Sequence, residues 1–143
     1  MKKTICLVVV LMMIAAVAIA AQKVAITTKN VASLKGIWAG TIAFGITTGG
    51  GTSPCTLEIY NDTPPLRAKL TISNLPDQVA MQFGESPGRK FMESEEGIIT
   101  SAGTVMWAGA GKNFVEVTLL DNNKLSAWYY WKGMRGDMTL TKK

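Results

Sequence analysis

From Ser33 onward the chain alternates apolar and polar residues with a period of two, the mark of strands that bury one face. Leu34, Gly36, Trp38, Gly40, Ile42 and Phe44 fall on one side of a first long strand, with Lys35, Ala39, Thr41 and Ala43 on the other. After the loop ITTGGGTSP, Cys55, Leu57 and Ile59 oppose Thr56, Glu58 and Tyr60. The turn NDTPP at 61–65 separates this strand from a third, in which Leu66, Ala68, Leu70 and Ile72 alternate with Arg67, Lys69, Thr71 and Ser73. Pro76, Gly84, Pro87 and Gly88 divide the middle of the chain, where strands are expected near 79–83, 89–93 and 97–100. Order returns at 103–107, at 114–120 with Val115, Val117 and Leu119 inward, and in the register Leu125, Ala127, Tyr129, Trp131. The last strand carries Gly136, Met138 and Leu140 against Arg135, Asp137 and Thr139. No segment has a convincing helical period.

Strands at this regular spacing, joined by short turns, predict an all-β domain. A sheet with one apolar face removes its exposed edges most economically by closing, so the expectation is an antiparallel up-and-down β-barrel of about eight strands. Residues 33–143 form the expected barrel domain, and 21–32, AQKVAITTKNVA, read as an N-terminal tether. Ahead of them Lys2 and Lys3 precede the apolar run Ile5–Ala20, which ends in Ala18-Ile19-Ala20. A charged start, an apolar centre and small residues at the end are the plan of a signal peptide, here residues 1–20, with cleavage before Ala21 and an extracytoplasmic location, periplasmic or secreted. Sixteen apolar residues are short for a bilayer core, and no stable membrane span is expected after cleavage. Cys6 lies near the start of the apolar run, where a lipid-attachment cysteine would not be.

Charge narrows the partners. The chain carries 15 basic and 10 acidic residues, and loss of Lys2 and Lys3 leaves a balance of +3. The basic side chains Lys35, Arg67, Lys69, Arg89, Lys112 and Lys132 are scattered among acids, with no stripe to track a phosphate backbone, so nucleic acid is not an expected partner. The chain has no histidine, which removes the commonest general base and zinc ligand. Glu93, Glu95 and Glu96 lack the spacing of a calcium loop and read as a solvated loop. Gly49-Gly50-Gly51 and Gly109–Asn113 lack the pattern of a phosphate loop and the helix that must follow it. No metal or cofactor is expected, and no nucleophile, base and orienting group stand together as an enzyme requires. Cys55 is the only cysteine after the leader and keeps register with Leu57 and Ile59, so it reads as buried and inert. In the run Trp128-Tyr129-Tyr130-Trp131, alternation puts one aromatic pair outside the core.

The sequence Leu34-Lys35-Gly36-Ile37-Trp38, a G-x-W at the start of the first barrel strand, resembles the first motif of the lipocalins and related calycins. The resemblance implies a barrel closed at one end by the tryptophan, with an arginine from the last strand across its ring. Arg135 is the residue here in position to do this, so Gly36, Trp38 and Arg135 are the expected end closure. It further implies a non-catalytic protein that holds a small apolar or amphipathic ligand inside the barrel. By strand face, Phe44, Leu57, Leu70, Trp107, Tyr129 and Trp131 are the candidate lining residues. The middle motif of the family and its C-terminal helix are absent.

Two other readings accompany this one. The order Leu34, Gly36, Trp38, Cys55, Leu57 is similar to that in small periplasmic inhibitors of metalloproteases, which lay an N-terminal segment into the enzyme's cleft; residues 21–32 would be that segment, though the disulfide of those inhibitors cannot form here. The third reading is a carbohydrate-binding domain that stacks sugar on Trp128 and Tyr130.

Overall fold

The computed structural model describes residues 20–45, 51–82, 88–110 and 112–143. Residues 1–19, nearly all of the expected signal peptide, and residues 46–50, 83–87 and 111 lie outside the described residues.

Among the described residues nine strands follow one another: β1 (Lys23–Val24), β2 (Gly36–Phe44), β3 (Thr52–Ile59), β4 (Leu66–Leu75), β5 (Gly88–Ile99), β6 (Val105–Gly109), β7 (Asn113–Leu120), β8 (Lys124–Trp131) and β9 (Met134–Lys142). Strands β2 to β9 pair antiparallel with their sequence neighbours, and β9 pairs back onto β2, so the sheet is a closed eight-stranded up-and-down barrel. The cause is the alternation itself. Every strand with a clean period of two turns its apolar set inward: Trp38, Ile42 and Phe44 from β2, Cys55, Leu57 and Ile59 from β3, Leu66, Ala68, Leu70 and Ile72 from β4. Val115, Val117, Leu125, Ala127, Met138 and Leu140 complete the opposite wall. A one-residue slip in any of these strands would put its whole apolar set in water.

The middle of the chain differs from expectation. Residues 77–82 form a helix, α1 (Asp77–Gln82), in place of a strand near 79–83, and Val79 and Ala80 on it are buried. The strands expected at 89–93 and 97–100 are one, β5, in which Glu93, Glu95 and Glu96 are strand residues and not a loop. A bulge hides this continuity. Ala68 pairs with Ser94 while Leu66 pairs with Gly97, so one residue of β4 stands opposite two of β5, and the inward parity of β5 flips between Ser94 and Gly97.

The segment read as a tether is part of the domain. β1 lies antiparallel to the last residues of β7, Lys23 opposite Leu120 and Val24 opposite Leu119. The Ile26 N–H donates to the Gly103 carbonyl at 2.9 Å. Gly103, with φ of 71°, permits this approach, since a Cβ there would stand 2.9 Å from that of Ala25. A 3-10 helix at Val31–Leu34 follows, and Ile26, Val31 and Leu34 are buried.

Candidate ligand-binding interior

The chain direction sorts the barrel into two ends. The first residues of β2, β4, β6 and β8 and the last of β3, β5, β7 and β9 share one end with residues 21–34. The other end carries α1 and the turn between β8 and β9.

At the first end Trp38 is buried, and its indole N–H donates to the Leu34 carbonyl at 2.7 Å. Its closing cation is Lys142. The Lys142 Nζ stands 5.4 Å from the centre of the Trp38 ring and donates to the Ser33 carbonyl at 2.6 Å. The ammonium thus ties the last strand to the 3-10 helix across the ring that the helix also holds. Arg135 is elsewhere. Because β2 and β9 are antiparallel, Trp38 is opposite Lys142, and Arg135, at the start of β9, is at the far end of the barrel. There its guanidinium stands 5.4 Å from the Trp128 ring and forms a salt bridge with Asp137 at 2.7 Å, both partners largely in water. Gly36 is at the Trp38 end with φ of 128°, and a Cβ on it would stand 3.2 Å from the Lys142 side chain.

The six lining candidates, Phe44, Leu57, Leu70, Trp107, Tyr129 and Trp131, are all buried members of the core cluster. The Trp107 indole donates to the Leu66 carbonyl at 2.9 Å and lies directly on Gly97, whose missing Cβ would be 2.2 Å from its Nε1. Tyr129 and Trp131 stack with ring centres 6.4 Å apart and planes 15° from parallel, and the Tyr129 hydroxyl donates to Asn113 Oδ1 at 3.4 Å. No buried side-chain nitrogen or oxygen among the described residues lacks a hydrogen-bond partner. The interior wall is therefore apolar with its few polar atoms committed.

Outside the barrel, Trp128 and Tyr130 face outward as the alternation requires. The Trp128 indole donates to Glu116 Oε2 at 2.8 Å, and Glu116 Oε1 accepts from Thr104 at 2.6 Å. Tyr130 tilts against Phe114 at 6.4 Å. With Arg135 over its ring, Trp128 belongs to a braced surface network. A shallow groove of about 440 Å³ crosses the outside of β2 and β3, bounded by Ala39, Thr41, Pro54, Thr56 and Lys143. Cys55 is buried, and burial pushes its thiol up from 9.0 to about 12. No group of three or more metal-ligating side chains occurs among the described residues, and no described helix is long and apolar enough to cross a membrane.

Two parts of this interior escaped the sequence. Lys142 was hidden because sequence does not show register, although a cation near the end of the last strand was its signal. The burial of Ile26 and Val31 was hidden by the weak periodicity of a segment held by a turn and a 3-10 helix.

Fold and interior together define a closed eight-stranded antiparallel barrel with an apolar, aromatic-rich inside. No protein-family model, curated protein sequence or solved structure matches the chain.

Proposed function

We propose that this is an exported, lipocalin-like barrel that binds one small apolar or amphipathic molecule and performs no chemistry on it. The observation that carries the reading is the inequality of the barrel's two ends. At the Trp38 end, Ile26, Val31, Leu34, Trp38 and Lys142 form a layered plug that hydrogen bonds hold in place. That arrangement, a tryptophan at the start of the first barrel strand beneath a cation of the last, is what the lipocalin resemblance implies, with lysine in place of arginine. The opposite end holds the buried side chains of Phe44, Leu75, Trp131 and Met134, and the six-residue helix α1 at this end buries Val79 and Ala80. A ligand reaches the interior from this side. Met134, and Met92 deeper in the wall, are unbranched and adapt to an irregular guest more readily than β-branched residues do. An eight-stranded barrel has room for its own side chains or one small ligand, so the guest is of single-ring or short-acyl size and displaces side-chain volume as it enters. The leader-like residues 1–20 support export, and the lack of histidine supports a binding role.

The inhibitor reading needs residues 21–32 free to enter a cleft, whereas Ile26 and Val31 are in the core and β1 is paired. A sugar platform on Trp128 and Tyr130 needs a ring face that Arg135 covers.

Titration with the apolar fluorophore N-phenyl-1-naphthylamine, read by energy transfer from the buried tryptophans, tests the proposal. Saturable binding at one site is expected, weakened at least about tenfold by Ala80→Trp, which fills interior space under α1 at the end where the ligand enters. Absence of saturable binding, or binding indifferent to Ala80→Trp and to Met134→Trp alike, would overturn it.

A further inference from the structure

The charged residues are unequally distributed between the ends. Exposed Lys23, Lys29, Lys35, Lys124 and Lys143 all lie at the Trp38 end, on the side formed by the N-terminal segment, β8, β9 and β2, together with Lys142. Asp121 is the acid of that side; Glu58, Asp62 and Glu96 lie farther round the same rim, beside Arg67. The same rim holds three large apolar side chains turned to water: Ile37, Tyr60 and Ile98, at 47%, 41% and 57% exposure. Ile37 is inside the lysine cluster, its carbonyl accepting from the Lys143 N–H at 2.9 Å. Residues 22–24 also lie here, since the Asp121 N–H donates to the Gln22 carbonyl at 3.0 Å and β1 pairs with the end of β7.

From these features we infer that the Trp38 end docks on the surface of an anionic phospholipid bilayer. Lysines near such a surface each add attraction, and exposed aliphatic and aromatic side chains on the same rim, Ile37 among the lysines and Tyr60 and Ile98 farther round, gain by entering the boundary between headgroups and acyl chains. A soluble polyanion would use the lysines and leave Ile37 and Ile98 unexplained. Cleavage before Ala21 would add a further positive charge, the new amino terminus, to the same rim. Docked in this way, the barrel turns its α1 end away from the membrane, toward whatever it captures.

The test is sedimentation of the chain beginning at Ala21 with vesicles. This chain keeps the whole core cluster, whose first residue is Ile26. Binding is expected to vesicles of equal phosphatidylglycerol and phosphatidylcholine, little to phosphatidylcholine alone, and loss of most of it in 0.5 M salt. At about fivefold per lysine, Lys35→Gln, Lys124→Gln and Lys143→Gln together should weaken binding about a hundredfold. Ile37→Ser should weaken it severalfold further, and Lys112→Gln with Arg135→Gln, away from this rim, should leave it unchanged. Equal binding to both vesicle types, no binding to either, or an equal loss from the Lys112 and Arg135 changes would overturn the inference. So would full vesicle binding by Ile37→Ser and Ile98→Ser displaced by dextran sulfate, which would assign the lysines to a soluble polyanion.

Discussion

Gly97→Ala is the smallest change with the largest expected effect on the barrel. The new methyl would stand 2.2 Å from Trp107 Nε1, 2.6 Å from its Cε2 and 2.8 Å from the Leu66 carbonyl oxygen. Two of these are atoms of a large buried ring and the third is backbone, so none is a flexible chain end that can swing aside. Relief requires Trp107 to move, and movement lengthens its 2.9 Å hydrogen bond to that same carbonyl. Overpacking a filled core costs about 2 kcal/mol, and loss of one buried hydrogen bond about 1 kcal/mol. The expected loss is therefore about 3 kcal/mol, a large part of the stability of a domain of this size. Urea unfolding followed by tryptophan fluorescence measures it, as a fall in midpoint of about 1.5 M for a slope near 2 kcal/mol per molar. Gly45→Ala is the control, because nothing lies within 4 Å of its Cβ position. Combining Gly97→Ala with Trp107→Phe should cost at least about 1 kcal/mol less than the sum of the two, since the smaller ring leaves room for the methyl. A loss below about 1 kcal/mol, or strict additivity, would refute the account of Trp107 as pinned between Gly97 and Leu66.

Lys142→Met removes both the ring cation above Trp38 and the tie to Ser33, and should cost about 1 kcal/mol, a fall of about 4 °C in Tm, while Lys143→Met stays within about 0.5 kcal/mol. Arg135→Ala should change stability by less than about 0.5 kcal/mol by the same measurement, because its salt bridge to Asp137 is exposed. The Cys55 thiol should not react with a disulfide reagent at pH 8 until the chain is unfolded. Since the folded protein holds that thiol's proton up to about 12, the unfolded chain binds fewer protons above pH 9, and stability should fall with rising pH between about 9 and 12 by at most about 1.4 kcal/mol per unit. Cys55→Ser should lose that slope in a pH series of urea curves.

The barrel was legible where strands are plain. Trp38, Leu57, Leu70, Tyr129 and Trp131 could be assigned to the inside because a period of two fixes the face of every residue once one is known. The faces of β5 could not be read through a bulge, since the extra residue between Ser94 and Gly97 reverses the parity and makes one strand look like two. α1 is too short to display a period, and Pro76 before it reads equally well as a turn. Arg135 and Lys142 are both cations of the last strand; which of them meets Trp38 is a matter of antiparallel register, and a three-dimensional pairing is not written in either strand alone. The two-ended character of the candidate site follows from the same fact. It became visible only when residues 21–34 were seen against the ends of β2, β7 and β9.

The seam between β2 and β9 has a consequence for how the molecule comes to exist. Ser33 and Lys142, joined by the 2.6 Å contact over Trp38, are 109 residues apart in the chain. Nearly the whole polypeptide must be present before the barrel can shut, and pairing of such distant segments is slow because the intervening chain must first be ordered. Until then β2 and β8 offer bare edges to any neighbouring chain. A polypeptide that emerges amino terminus first therefore remains vulnerable to aggregation until its last nine-residue strand arrives, and a truncation there exposes two sticky borders at once.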